Sequence, residues 1–95
     1  MEIHLQNSQH ERVSEKVGDD PTGSFLLLCR EAPENSVLHG VQAIGDTMFN
    51  ELQCQRLVAE LSALPETRLT QVVRRVMEMA RQAASCHGYL YFTGD

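Results

Sequence analysis

Gly88-Tyr89-Leu90-Tyr91-Phe92-Thr93-Gly94-Asp95 closes the chain, and the stretch from Pro65 to Cys86 runs directly into it. In that longer stretch Leu69, Val72, Val73, Val76, Ala80 and Ala83 fall on one stripe of a 3.6-residue period. The spacing predicts an amphipathic helix from Pro65 to about Cys86, with Gln71, Arg74, Arg75, Glu78, Arg81, Gln82 and Ser85 on its polar side. His87-Gly88 reads as its stop, Gly88 supplying the left-handed residue that commonly closes a helix. The ending then changes period: Leu90 and Phe92 share one face, and Tyr89, Tyr91 and Thr93 share the other. A strand at the very end is expected to be an integral member of a sheet, with the domain complete at residue 95.

Upstream, Gly45-Asp46-Thr47 reads as a strand end and helix start, since Asp46 or Thr47 can accept a bond from an unpaired amide of a first helical turn. Cys54, Leu57, Val58, Leu61 and Leu64 carry that helix to Pro65. Ile3 and Leu5 alternate with Glu2, His4 and Gln6 as a half-buried first strand. Val13, Glu15 and Val17 suit a weak, exposed second one. Gly18 to Gly23 is a loop on its chemistry and the segment expected to be mobile. Phe25 to Cys29, apolar on both faces, reads as a central strand, paired in a hairpin with Val37 to Ile44. The expectation is one two-layer α+β domain spanning 1–95. Four or five strands form an antiparallel or mixed sheet, with two consecutive helices on one face and the last strand beside 25–30 or 37–44.

Ninety-five residues suffice for one core without metal or disulfide support. Hydrophobic residues make up 42% and aromatics only 5%, so Leu, Val, Ile and Met must fill that core. The net charge of −5 argues against non-specific nucleic-acid binding, which depends on neutralising phosphates. The one net-positive stretch is 65–86, where Arg68, Arg74, Arg75 and Arg81 outnumber Glu66 and Glu78. Three cysteines, Cys29, Cys54 and Cys86, cannot all pair internally, which suits reduced thiols in a cytoplasmic protein. No signal-peptide pattern opens the chain, and the run Phe25 to Cys29 is too short to span a bilayer.

Gly45-Asp46-Thr47-Met48-Phe49-Asn50-Glu51-Leu52-Gln53, a helical pair after it, and the terminal Tyr89-Leu90-Tyr91-Phe92-Thr93-Gly94-Asp95 resemble a family of short, uncharacterised bacterial proteins. That family carries a GDT-x-FN-x-x-Q segment and a YLxFxGD-like last strand; Thr93 stands where an apolar residue is more usual. The resemblance covers roughly the C-terminal half. It implies the fold, and it associates the chain with small accessory or immunity-type proteins without implying an activity.

No catalytic constellation is legible. Cys29 and His39 would meet only across the predicted hairpin, and a thiol in an apolar run is usually inert. The histidines and cysteines show no CxxC, HxxxH or HExxH spacing; Cys86-His87 offers two adjacent ligands that point apart on a helix end. No metal or cofactor is therefore expected, and an enzyme using Cys29 with His39 or the Asp46/Asp95 sheet edge is the least favoured of three functional readings. Asp19-Asp20 suits turn formation. The carboxylates of Asp46 and Asp95 each follow a glycine and can mark the ends of the sheet. Tyr89 and Tyr91 are the foremost interface candidates, since they protrude from the sheet if Leu90 and Phe92 face the helices, unless residues 1–17 cover them. Arg74, Arg75 and Arg81 are candidates for an anion or an acidic partner. These features predict a non-enzymatic protein-binding or regulatory module, self-associating or with a protein partner. A small-molecule or anion-binding domain is the other reading.

Overall fold

The computed structural model describes residues 1–42 and 44–94. Its described residues form strands β1 (Glu2–Gln6), β2 (Val17–Gly18), β3 (Asp46–Phe49) and β4 (Tyr89–Thr93), with helices α1 (Ser24–Glu31), α2 (Glu51–Ser62) and α3 (Gln71–Ser85). The sheet is antiparallel throughout, in the order β2-β1-β4-β3. The helices pack on one of its faces, giving the expected two-layer α+β domain. The last strand is indeed an inner one, but it pairs with β1 and β3.

Alternation along the strands builds the core. Ile3, Leu5, Leu90 and Phe92 point toward the helices and are buried. From the other layer come Cys54, Leu57 and Leu61 of α2 and Val72, Val73, Val76, Met79, Ala80 and Ala83 of α3. Phe92 lies at the junction: Phe25 of α1 stacks on it with centroids 5.7 Å apart, and Phe49 meets it edge-on at 5.3 Å.

Three segments depart from the expected elements. Phe25–Cys29 is helix, and the hairpin with 37–44 does not exist. The apolar run also satisfies a helical period, with Phe25, Leu28 and Cys29 buried and Leu27 exposed. What tips the balance is the preceding Asp19-Asp20. The Asp19 carboxylate accepts from the amides of Phe25 and Leu26 at 3.1 and 3.0 Å. Asp20 takes the amide and hydroxyl of Ser24 at 2.8 and 2.6 Å. Two acids thus satisfy the orphan donors of the first turn, and the Ser24 hydroxyl bond above all holds the Asp20 carboxyl below its usual pKa.

The second departure is Val37–Ile44, which is not a strand. Leu38–Gly40 forms a single 3-10 turn, with Leu38 and Val41 buried and Ala43 outside the described residues. The carboxylate of Glu60 on α2 takes the amides of Val37 and Leu38 at 3.0 and 3.1 Å, so a turn rather than a sheet partner satisfies this backbone.

Third, Asp46 and Thr47 start a strand instead of a helix. Asn50 is the cap of α2: its side chain accepts from the Gln53 amide at 3.0 Å while the Gln53 side chain accepts from the Asn50 amide at 2.9 Å. This reciprocal pair fixes the helix start four residues later than Asp46. Similarly, Pro65 precedes a 3-10 turn, Glu66–Arg68, and α3 begins only after Thr70, whose hydroxyl caps it. Of the weak second strand only Val17–Gly18 forms.

The stop of α3 also differs in detail. His87, with φ 55°, holds the left-handed conformation, and the Gly88 amide bonds back to the Ala83 carbonyl at 2.9 Å. Gly88 is needed for space: a Cβ there would lie 2.2 Å from the carbonyl oxygen of Gln6. Removing this atom lets β1 approach the helix end and pair with β4 from Tyr89 onward.

Candidate functional site

The helix-free face of the sheet carries the outward set of the alternation: Glu2, His4 and Gln6 of β1, Tyr89, Tyr91 and Thr93 of β4, and Asp46 and Met48 of β3. Pairing register turns these into rows. Met48 is opposite Tyr91, Tyr91 is opposite His4, and Tyr89 is opposite Gln6. Both tyrosines are half-buried, and each is packed by an imidazole. His4 stacks on Tyr91 with centroids 5.0 Å apart, and His10 stacks on Tyr89 at 4.1 Å.

Gln6 joins the two stacks. Its amide nitrogen lies 3.0 Å from His4 Nε2 and its amide oxygen 3.3 Å from His10 Nδ1. One assignment serves both contacts: the nitrogen donates to His4 and the oxygen accepts from His10. His4 then carries its proton on Nδ1, a buried atom with no hydrogen-bond partner. Burial, reinforced by the positive charges of Arg12 and Lys16 and opposed by Glu2, lowers the pKa of His4. At the other end of the row the Tyr91 hydroxyl donates to Asp46 Oδ2 at 2.6 Å, and this bond raises the phenol's pKa.

The chain after β1 supplies His10. Residues 7–10 turn back, His10 adopts φ 63°, and Arg12 bridges to Gln6. Between the pairs Gln6–Arg12 and Ile3–Val17, three steps along β1 are matched by five along the returning chain. This bulge breaks the ladder, and the Ser14 hydroxyl accepts the Leu5 amide at 2.8 Å in place of a backbone carbonyl. Residues 7–16 thus frame the tyrosine face at one side and add His10 to it. The alternation of β1 already placed His4 and Gln6 on the polar face; their stacking and bridging roles required the register, which the sequence does not state.

The other candidates are scattered. Arg74 bonds the Leu69 carbonyl at 3.1 Å and pairs with Glu66 at 3.4 Å, while Arg81 pairs with Glu78 at 3.8 Å. Arg75 has no charged partner among the described residues. Arg74 and Arg75 line one groove with Val17, Asp20 and Gln71, and Arg81 lines a different one with Gln55 and Val58. Asp46 starts β3 opposite Thr93; Asp95 lies outside the described residues. Because β3 and β4 are antiparallel, Gly45 and Gly94 meet at one sheet end, the Gly94 amide donating to the Gly45 carbonyl at 2.8 Å.

Burial pushes the thiol of Cys29 up to about 12 and that of Cys54 up to about 11, so neither is a nucleophile at neutral pH. His39 is exposed on the 3-10 turn, and the hairpin that was to align it with Cys29 is absent. His87 is engaged through Nδ1 by the Glu51 carboxylate, which ties the end of α3 to the start of α2. Among the described residues no three His, Cys, Asp or Glu side chains converge as metal ligands, and no helix is long and apolar enough to cross a membrane.

A groove of about 420 Å³ lies between the end of α1 and the second half of α2. Leu28, Ala32, Leu38 and Leu64 are among its lining, and Arg56 and Arg68 stand at its polar margin. Their guanidinium groups are held by the Asn35 carbonyl and by Glu31 respectively.

Compared with known proteins, the chain matches no family model, no curated protein and no solved structure.

Proposed function

We propose that the chain is a non-enzymatic protein-binding module, immunity-like or regulatory in role, whose contact surface is the helix-free face of the sheet centred on Tyr89 and Tyr91. The observation that carries this reading is the stacking of both phenol rings on imidazoles bridged by Gln6. Rings already held in place lose little rotamer freedom on contact, and aromatic side chains of this kind dominate binding energy at protein interfaces. The resemblance of residues 45–53 and 89–95 to a family of short, uncharacterised bacterial proteins, some of accessory or immunity type, is in keeping with such a role. Buried free thiols at Cys29 and Cys54 suit a cytoplasmic setting.

The test is affinity capture from the source cell with the parent chain, Tyr89→Ser and Tyr91→Ser in parallel, each first shown to melt like the parent. Loss of a central aromatic anchor costs about 2 kcal/mol or more, roughly thirtyfold in affinity. A captured partner retained equally by all three proteins removes this face from the account.

A second reading, a small-molecule-binding domain, draws on the groove between α1 and α2. Its volume of about 420 Å³ falls in the usual range for ligand sites, and its apolar lining suits a hydrocarbon or aromatic ring. A thermal-shift screen of such compounds tests it, because a ligand of the folded state must raise the melting temperature.

A further inference from the structure

The two edges of the sheet are not alike. The β2 edge is two residues long and is followed toward the turn by the bulge, a combination that keeps strands from adding there. The β3 edge is four residues long, regular, and bordered by exposed apolar side chains: Met48 within it at 43% exposure, Ile44 just before it at 77%, and Leu52 just after it at 70%.

The pairing of β3 with β4 fixes which backbone groups remain open. Gly45 accepts from Gly94, so in an antiparallel ladder Thr47 and Phe49 also direct their N–H and C=O groups toward β4. Asp46 and Met48 therefore direct theirs outward, and among the described residues nothing outside the sheet bonds to either backbone. Two donors and two acceptors stand in one row on an exposed edge.

We propose that β3 is a self-association edge, on which β3 of a second copy of this chain pairs antiparallel across a two-fold axis through Thr47. In that register Asp46 of each copy is opposite Met48 of the other, and all four open groups of each strand are used in four hydrogen bonds. No acid then stands directly opposite another; the two Asp46 side chains are diagonal, and each already accepts from its own Tyr91. The same axis brings Ile44 of one copy toward the end of the strand where Leu52 of the other follows. A shift by two residues toward Asn50 is poorer, because its backbone groups are spent on Gln53 and Cys54, and the opposite shift sets the two Asp46 side chains directly opposite each other. The product is a continuous eight-stranded sheet, joined through the backbone of its β3 edges, whose helix-free face with Tyr89 and Tyr91 stays open.

The area sets the strength. A four-residue strand with three exposed apolar neighbours falls short of the ~800 Å² that each partner gives to a standard interface, so the dimer forms at roughly 10 µM to 1 mM rather than at nanomolar concentration.

Sedimentation equilibrium of the full chain across that range, with amide hydrogen exchange at both ends of it, tests the proposal. The expected result is a concentration-dependent dimer in which the amides of Asp46 and Met48 gain protection, whereas those of Thr47 and Phe49 are protected at every concentration. Met48→Pro removes an outward N–H, which an edge strand tolerates, together with the exposed methionine side chain, and should weaken dimerisation at least tenfold while the far-ultraviolet spectrum is kept. Should Met48→Pro fail to fold, Met48→Glu gives the same reading, because it sets an acid directly opposite Asp46 of the other copy. Tyr89→Ser should leave the dimer intact, which separates this edge from the face proposed above. A monomer at every concentration, a dimer with the amides of Asp46 and Met48 unprotected, or a dimer that Met48→Glu leaves unaffected overturns it.

Discussion

Replacing Gly88 with Ala should be among the most damaging single-methyl changes the chain can suffer, and replacing its neighbour His87 with Gly should be nearly harmless. A Cβ at Gly88 would stand 2.2 Å from the Gln6 carbonyl oxygen, 3.0 Å from Cys86 Sγ and 3.3 Å from the Gln6 carbonyl carbon. The sulfur can rotate away; the peptide of Gln6 cannot, because its residue is paired with Tyr89 on one side and Arg12 on the other. Relief needs a shift of about 1 Å between β1 and the end of α3, which puts the cost at the upper end of overpacking, ~3 kcal/mol. For a domain of this size each kcal/mol is about 4–8 °C, so the melting temperature should fall by roughly 12–24 °C. His87→Gly removes the strain of a left-handed side chain, about 1 kcal/mol, and gives up a contact with Glu51 that is largely exposed. Those terms nearly cancel, and a change of only a few degrees is expected. Calorimetry on the two variants decides the matter: a Gly88→Ala protein melting close to the parent, or His87→Gly proving the worse of the pair, would refute the idea that space rather than conformation demands the glycine.

Deleting residues 88–95 removes a strand paired on both sides and the buried Leu90 and Phe92, and should leave a chain without cooperative melting. Asn50→Ala breaks the capping box of α2 and should lower stability by ~1 kcal/mol in urea titrations, with Asn50→Asp much closer to the parent. The lowered pKa of His4 makes the unfolded chain bind a proton more readily than the folded one. Stability should therefore fall as pH drops through about 6.5 toward the folded value, and His4→Gln should flatten urea midpoints measured between about pH 7.5 and pH 5. Tyr91 has the opposite sense as an acid held neutral by Asp46: Asp46→Asn should bring its ionisation, read by ultraviolet absorbance, back toward about 10.

Periodicity made the ends of the chain legible and left the middle ambiguous. The stripe of α3 and the alternation of β1 and β4 each meet one template clearly, because every buried position recurs at its own period. Phe25 to Cys29 meets two templates, and short apolar runs cannot be assigned by period alone. There the decision belongs to Asp19 and Asp20, whose carboxylates cap the helix from outside it. The same reasoning explains the start of α2. Asp46 and Thr47 are good cap residues in isolation, but Asn50 with Gln53 three positions on satisfies two amides reciprocally, and the stronger arrangement released Asp46 to the sheet. The tyrosine face was readable as a face. Its histidines were not, because the pairing of β1 with β4 is a long-range fact that no local pattern encodes.

Gln6 links the structural and surface arguments. Its carbonyl is the atom that forbids a side chain at Gly88, its backbone joins Arg12 and Tyr89, and its amide holds the two imidazoles against the two phenols. The stop of α3 and the arrangement of the proposed contact face are therefore set by one residue of β1. A displacement of Gln6 by about 1 Å would carry its amide out of reach of His4 or His10, since a bond near 3 Å does not survive such a stretch. It follows that a Gly88→Ala protein kept folded at low temperature should bind a partner of the tyrosine face more weakly, although Gly88 itself is buried. Gln6→Leu should reproduce that loss without the melting defect, keeping the strand and its pairing while releasing both imidazoles. If Gln6→Leu binds like the parent, the imidazole stacks are not what holds the rings in place, and the tyrosines must act through exposure alone.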